Sequence, residues 1–372
     1  RLRSRGLGDV YKRQLIIFSL ATLCVTSQAQ EGWTLRQCID YAIEHNIEIQ
    51  QTANEAEQNA IEVNTAKWAR LPNLSGSAGQ NWSWGRSQSP KDNTYSDVNS
   101  GSTQFGLNTN VPLFTGLQLP NQYALSKLNL KAAIEDLNKA KEDIAINVTS
   151  SYLQVLFNME LSKVAASQTE LSKEQCKRII RLAEVGKASS AEVAEAKARV
   201  AQDEMSLVQA ENNYQLALLD LSQLLELPTP EGFTLAQPDT VVNFAPLTAP
   251  DDIYTEALSN KPGIRAAQFR LEGSEKSIRI AQSNYYPQLS FGASIGTNFY
   301  TLNGSAEHSF GSQLKNNLNK GIGFNLSVPL FNRLATRNRV RSARLQQTNL
   351  ALQLNNTKKV LYKEIQQAWY NA

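Results

Sequence analysis

Histidine is nearly absent from this chain: His45 and His308 are the only two among 372 residues. His45 falls in a helical pattern and His308 in a polar loop, so neither a histidine metal cluster nor a histidine-activated nucleophile finds its parts. No phosphate-binding glycine loop is present either, and the sequence predicts no enzyme, no cofactor and no metal. Cysteine is almost as scarce. Cys24 lies in an N-terminal apolar run, which leaves Cys38 and Cys176, too few for a disulfide scaffold. Charge of one sign is missing: 37 basic residues face 34 acidic ones. No basic block carries interleaved aromatics, which argues against a nucleic-acid partner. Long hydrophobic runs are missing too. The run Leu15–Val25 has 11 residues, too short to span a membrane as a helix.

That short run still has a reading. Arg and Lys precede it, and Ser27-Gln28-Ala29 follows as a small-x-small site, the order of an export signal. Residues 1–29 are therefore read as adapter-like sequence, "RLRSRGLGDVYKRQ", followed by a signal peptide.

What is present is repetition. "FGLNTNVPLF" (Phe105–Phe114) returns as "IGFNLSVPLF" (Ile322–Phe331), 217 positions later. "LPNLSGSAG" around Pro72 returns as "YPQLSFGAS" around Pro287, 215 positions later. Matched blocks in the same order predict a tandem duplication: a first repeat over 30–227, a linker over 228–250 and a second repeat over 251–372. By the offset, Ala372 corresponds to Val155, so the second repeat is expected to lack a returning helix and is read as C-terminally incomplete.

Each repeat begins with a helical pattern, Thr34–Trp68 with Thr34 as N-cap and then Asp251–Ser283. A proline ends it, and two alternating segments follow, separated by a loop rich in Gly, Ser and Asn. The first repeat then continues into a helical tract from about Gly116 to Leu227. Its seam runs through Leu137, Ile144, Val148, Val155 and Met159. Glu135 with Lys139 reads as a solvated pair. Gly186 interrupts the tract, and Ser189 or Ser190 can cap a second helix, so the tract is a hairpin whose first helix has about 65 residues, roughly 100 Å. Helix spacing also puts Cys38 and Cys176 too far apart to pair.

The alternating segments set Leu, Phe, Ile and Val against Gly, Asn and Ser with almost no charge. Aromatics gather near both ends: Trp82, Trp84, Phe299 and Tyr300 by the loops, Phe114 and Phe331 by the helices. Apolar alternation with aromatic girdles is the pattern of a transmembrane β-barrel. Four strands cannot close one, and lipid does not tolerate open edges. The expected assembly is therefore a homo-oligomer, and three copies give twelve strands.

Element order, the paired "VPLF" segments and "RLAEVGKASSAEVAEAKARV" (Arg181–Val200) together resemble the TolC-type outer-membrane efflux proteins. The resemblance implies an α+β membrane protein. In such a protein a homotrimer forms a twelve-stranded β-barrel, four strands per chain, in the lipid of a Gram-negative outer membrane. A long α-helical barrel continues it across the periplasm. It implies a passive exit duct for small molecules or proteins, with a periplasmic adaptor protein and an inner-membrane transporter of RND, ABC or MFS type as partners. It also implies that the tip Val185, Gly186, Lys187, Ala188, Ser189 and Ser190 meets the adaptor, and that Glu192 belongs to the gate. The rival reading is a periplasmic helical-hairpin adaptor, which would have no need of girdled, charge-poor strands.

Overall fold

The computed structural model describes residues 32–88, 93–97, 99–229, 233–236, 248–303, 306 and 308–371. The export signal expected over 1–29 and part of the expected linker lie outside the described residues.

Thr34 opens the first helix, α1 (Leu35–His45), through a capping box. The Gln37 N–H donates to Thr34 Oγ1 and the Thr34 N–H donates to Gln37 Oε1, which satisfies two of the otherwise unpartnered amides of a helix start. The expected single helix from Thr34 to Trp68 is in fact two. The chain breaks at Asn46 (φ −62°, ψ 130°) and restarts as α2 (Ile47–Trp68). Asn46 Oδ1 accepts from the amides of Glu48 (2.9 Å) and Ile49 (3.4 Å). A short polar side chain thus offers the backbone an alternative to the helical ladder. The corresponding stretch breaks at Lys261, 215 positions on, between α5 (Pro250–Asn260) and α6 (Pro262–Ser283). There the cause is Pro262, which disfavours a helical residue before it.

Between these breaks lie α3 (Gln118–Glu184) and α4 (Ser190–Leu224), the expected hairpin. The strands of the main sheet are β1 (Asn73–Ser83), β4 (Ser100–Phe114), β5 (Gln288–Leu302) and β6 (Asn319–Ser327). They are antiparallel in the order β1-β4-β5-β6. Two short strands, β2 (Arg86–Gln88) and β3 (Tyr95–Asp97), pair with each other in the first loop. A short helix, α7 (Phe310–Asn316), stands in the second loop, and α8 (Ala335–Asn371) follows β6.

The two hairpins share one register. Asn73 faces Asn110 in the first, and Gln288 faces Ser327 in the second. Advancing the first strand by 215 and the second by 217 converts one pairing into the other. The turns that enter the helices match as well. Gly116 and Leu117 have φ of +62° and +65°; Arg333 and Leu334 have +54° and +64°. The Gln118 amide donates to the Thr115 carbonyl, and the Ala335 amide to the Asn332 carbonyl.

One expected symmetry fails. The first "VPLF" ends β4, whereas the second, Val328–Phe331, lies beyond the end of β6 and is not strand. β4 has β5 beside it as far as Phe114, opposite Leu289. β6 has only β5, whose first residue, Gln288, is already used by Ser327. Past Ser327 no strand neighbour is found among the described residues, and Pro329 brings no amide hydrogen.

The chain divides into two compact units. One is drawn from Arg1–Gln50 and Ala140–Ala245. Its interior holds Cys38, Ala42, Val148, Val155, Leu221 and Leu225. Tyr152 donates its hydroxyl to the Ala236 carbonyl at 2.8 Å, with the Trp33 carbonyl at 3.2 Å. Cys38 and Cys176 are both buried free thiols, as expected. Burial pushes the Cys38 thiol up to about 11.

The other unit, Gln51–Lys139 with Pro246–Ala372, joins residues of both expected repeats and carries the sheet. Leu128, Ala132, Ile264, Ala266, Ala281 and Val340 are buried in it. Glu135 corrects an expectation. Its side chain is buried rather than solvated, 7% exposed, and Oε1 lies 2.8 Å from Arg265 Nη2. Arg270 and Asp136 form a second ion pair beside it.

Candidate functional site

The sheet sorts its residues by chemistry. Through the registers, Leu74, Ala78 and Trp82 of β1 share a face with Phe105, Leu107 and Val111 of β4, with Leu289, Phe291 and Ile295 of β5, and with Ile322, Phe324 and Leu326 of β6. Alternate residues point to the other side of a pleated sheet. That side carries Ser75, Ser77, Asn81, Gln104, Asn108, Ser294, Asn298 and Asn325, with glycines between them. The four strands contain one charged side chain, Lys320, opposite Ile295 on the apolar face. Such a sheet suits lipid on one side and water on the other.

The girdle residues fall at two levels. At the loop end, Trp82 ends an apolar row with Gly101 and Thr301, and Phe299 lies opposite Thr103. The Phe299 ring packs edge-on against Phe310 of α7, with ring centroids 5.0 Å apart. Trp84 is exposed just beyond β1. Tyr300 sits at this level too, but its register with Ser102 sets it on the polar side. At the helix end, an irregularity after Pro112 brings Phe114 opposite Leu289. Phe331 lies outside the strands and is 80% exposed. From Gly101 to Phe114 the strand runs about 40 Å at ~3.3 Å per residue. Tilted by about 45°, that covers about 30 Å, the hydrocarbon thickness of a bilayer. Among the described residues no helix is long and apolar enough to cross a membrane.

One residue here escaped sequence reasoning. β5 outruns β6, which begins opposite Gly296. The buried Gln313 fills the gap: its Oε1 accepts from the Tyr300 amide (3.1 Å) and its Nε2 donates to the Tyr300 carbonyl (3.0 Å). A side-chain amide thereby completes the strand edge. Only the unequal strand lengths could have signalled it.

The helix tip belongs to the other unit. Gly186 (φ +72°) stops α3 in a Schellman arrangement. Its amide donates to the Ala183 carbonyl, and the Lys187 amide donates to the Leu182 carbonyl at 2.8 Å. A left-handed residue is needed for this, and glycine adopts it without Cβ strain. Ser189, not Ser190, is the N-cap of α4. The Glu192 amide donates to Ser189 Oγ (3.2 Å), and the Ser189 amide donates to the Glu192 carboxylate (2.6 Å). Val185, Gly186, Lys187, Ser189, Ser190 and Glu192 are all exposed, and Ala188 is half-buried. The stretch from Val185 to Glu192 is thus one tight turn in which the Gly186, Lys187, Ser189 and Glu192 amides are hydrogen-bonded and most side chains are exposed. His45 is exposed and stacks on Tyr41, a surface role.

Comparisons with known proteins agree with this architecture. The family model described as outer membrane efflux protein matches residues 38–226 and 253–372. The pyoverdine export outer membrane protein OpmQ of Pseudomonas aeruginosa is 26% identical over 239 residues, 63% of this chain and 47% of OpmQ. The chain thus spans about half the length of that relative. The outer membrane protein TolC of Escherichia coli is 23% identical over 370 residues, 96% of this chain and 71% of TolC. Among solved structures, the Campylobacter jejuni CmeC outer membrane channel superposes with a TM-score of 0.74 at 19% identity, over 87% of this chain and 67% of CmeC. The Vibrio cholerae outer membrane protein VceC gives 0.70 at 19% identity, over 87% and 75%. The fold is that of these channels. With the family model covering most of its length, the chain belongs to the outer membrane efflux protein family and is a protein of the outer membrane.

Proposed function

We propose that the protein is the outer-membrane exit duct of a tripartite efflux or type I secretion system. It acts as a homotrimer whose twelve strands close one barrel. The observation that carries this reading is the four-stranded sheet with one apolar face, one uncharged polar face and two edges left unpaired among the described residues. In lipid an unpaired edge costs several kcal/mol per orphaned backbone group, so the sheet requires neighbours. Twelve strands leave a wider lumen than the eight that just enclose side chains. A lumen lined by Ser, Asn, Gln and Gly is wetted and offers no catalytic group, so transport is passive and the energy comes from an inner-membrane transporter of RND, ABC or MFS type. Relatives named for pyoverdine export and for toxin and drug export support export as the task and leave the cargo to the transporter.

The tip from Val185 to Ser190 docks the periplasmic adaptor. The small Gly186, Ala188, Ser189 and Ser190 and the tight turn let another helical hairpin approach, and a bulky residue at Gly186 weakens that docking. The Glu192 carboxylate contributes to the gate in addition to capping its own helix. The chain arose by tandem duplication of a helix–hairpin–helix unit, supported by the shared hairpin register. Purified protein in planar bilayers is expected to give discrete conductance steps, and native mass spectrometry is expected to show three copies. A monomer without conductance would overturn the reading.

A further inference from the structure

Positive charge is spread unevenly along this chain. No acidic residue occurs between Glu307 and Glu364, although acids and bases nearly balance overall. Five arginines fall in that interval within twelve positions: Arg333, Arg337, Arg339, Arg341 and Arg344. The first lies in the left-handed turn after the second "VPLF", and the other four lie in the first ten residues of α8. All five are exposed. Among the described residues none of their guanidinium groups has an ion-pair partner. α6 packs along α8, and its last acidic residue is Glu275, two turns from its end, with Arg279 beyond it.

Helix chemistry alone disfavours this arrangement. The dipole makes a helix start favour anions, yet the first turn of α8 has no acidic residue and carries Arg337. Arg337 and Arg341 are four positions apart, so like charges sit one above the other. The buried seam of α8 runs through Thr336 and Val340, so the arginines are not needed to pack it. The first repeat does without them. At the offset of 217 the five counterparts are Gly116, Pro120, Gln122, Ala124 and Lys127, a single cation in the same structural place. A local cost that the equivalent helix avoids points to an anion outside the chain.

We infer that Arg333, Arg337, Arg339 and Arg341 bind the phosphates of anionic phospholipids in the periplasmic leaflet, and that Leu330 and Phe331 meet the acyl chains beside them. The inference rests on the sheet being the barrel wall. Leu330 and Phe331 are exposed immediately before the turn, at the helix end of the apolar face. At 1.5 Å per residue Arg337 lies about 3 Å from the start of α8, Arg339 about 6 Å and Arg341 about 9 Å. The headgroup layer of one leaflet is roughly 5–8 Å thick, and a long arginine side chain carries its charge toward it. Guanidinium groups hold phosphate oxygens through paired N–H donors. One such collar per chain fixes the depth of the barrel in the bilayer.

Native mass spectrometry of the detergent-solubilised trimer tests this, with phosphatidylglycerol and phosphatidylcholine supplied in equal amounts. The parent is expected to retain phosphatidylglycerol preferentially. Each cation near an anionic surface contributes about fivefold, so Arg333→Gln with Arg337→Gln and Arg341→Gln should lower the preference by at least about tenfold. Lys358→Gln with Lys359→Gln, about 35 Å from the start of α8, should leave it unchanged. Glycerol phosphate, the headgroup chemistry without acyl chains, should not displace the lipid. Removing cations from a helix start should leave the unfolding temperature unchanged or raise it; a fall would mark the arginines as structural and overturn the assignment. A trimer with no preference for phosphatidylglycerol, or an unaltered preference in the arginine variant, overturns this inference alone. So does displacement by glycerol phosphate, which marks a small-anion site. A shifted reversal potential in the variant with lipid retention unchanged places the arginines in the duct and overturns it too. A monomer overturns the assembly itself.

Discussion

Glu192 is expected to have two separable functions. Its carboxylate accepts the Ser189 amide at 2.6 Å and lies in the first turn of α4, where the helix dipole favours negative charge. Glu192→Ala removes half of a capping box and the charge together. Such a loss costs about 1 kcal/mol, which is about a fivefold rise in local opening. Hydrogen exchange should report it as roughly fivefold faster exchange of the amides that open α4, with the remainder of the helix unchanged. Glu192→Gln keeps the acceptor, because glutamine also completes a capping box, but removes the charge. Its exchange should therefore match the parent. Single-channel conductance reads the other, proposed function: both variants should raise it, because both remove the charge proposed to act at the gate. If Glu192→Gln conducts like the parent, the carboxylate is a cap only. If Glu192→Ala exchanges like the parent, the capping argument fails.

Gly116→Ala forces a Cβ to 2.5 Å from the Ser283 carbonyl oxygen at a φ of +62°; left-handed strain plus overpacking is expected to cost about 2–4 kcal/mol, read as a lowered unfolding temperature, and an unchanged temperature would refute the close approach. Arg265→Ala strands the buried Glu135 carboxylate. Breaking a buried pair costs about 3–5 kcal/mol, and because Arg265 is half-exposed about 1–3 is expected. Chemical denaturation should show that loss, and Arg265→Met with Glu135→Leu should recover most of it. Cys38, fully buried with its thiol pushed up to about 11, should resist alkylation at pH 8 in the folded protein and react after unfolding. Its folded form holds a proton that the unfolded thiol releases near pH 9, so its contribution to stability should fall as pH rises from about 9 to 11. Thermal unfolding with and without Cys38→Ala across that range checks the sign.

What could be read from the sequence was governed by local chemistry and by repetition. The Thr34 cap, the Gly186 stop and the Ser189 start depend on residues within one turn, and the strand alternation depends on a period of two. The repeat offsets, found as matched letters, reappear as equal registers in the two hairpins. What could not be read depends on unequal neighbours. Asn46 breaks a helix because its side chain finds two amides, a competition that periodicity does not weigh. Glu135 looked solvated because Lys139 is its helical neighbour; its partner Arg265 is far away in sequence. Gln313 replaces a strand because β6 is shorter than β5. The two "VPLF" segments are the clearest case: identical letters adopt different structures because β5 flanks only the first. At the tip, residue types located the turn, but only the geometry showed that Glu192 already caps its own helix.

The central claim is that one face of the sheet meets lipid and the other meets water. Spin labels placed one at a time at residues 321–327 of β6, in protein reconstituted in bilayers, test it through accessibility to oxygen and to a water-soluble nickel complex. The account requires alternation with a period of two: labels at 322, 324 and 326 meet oxygen, and labels at 321, 323, 325 and 327 meet nickel. Uniform accessibility to nickel along the strand, or no alternation, would contradict a lipid-facing barrel wall and with it the exit duct.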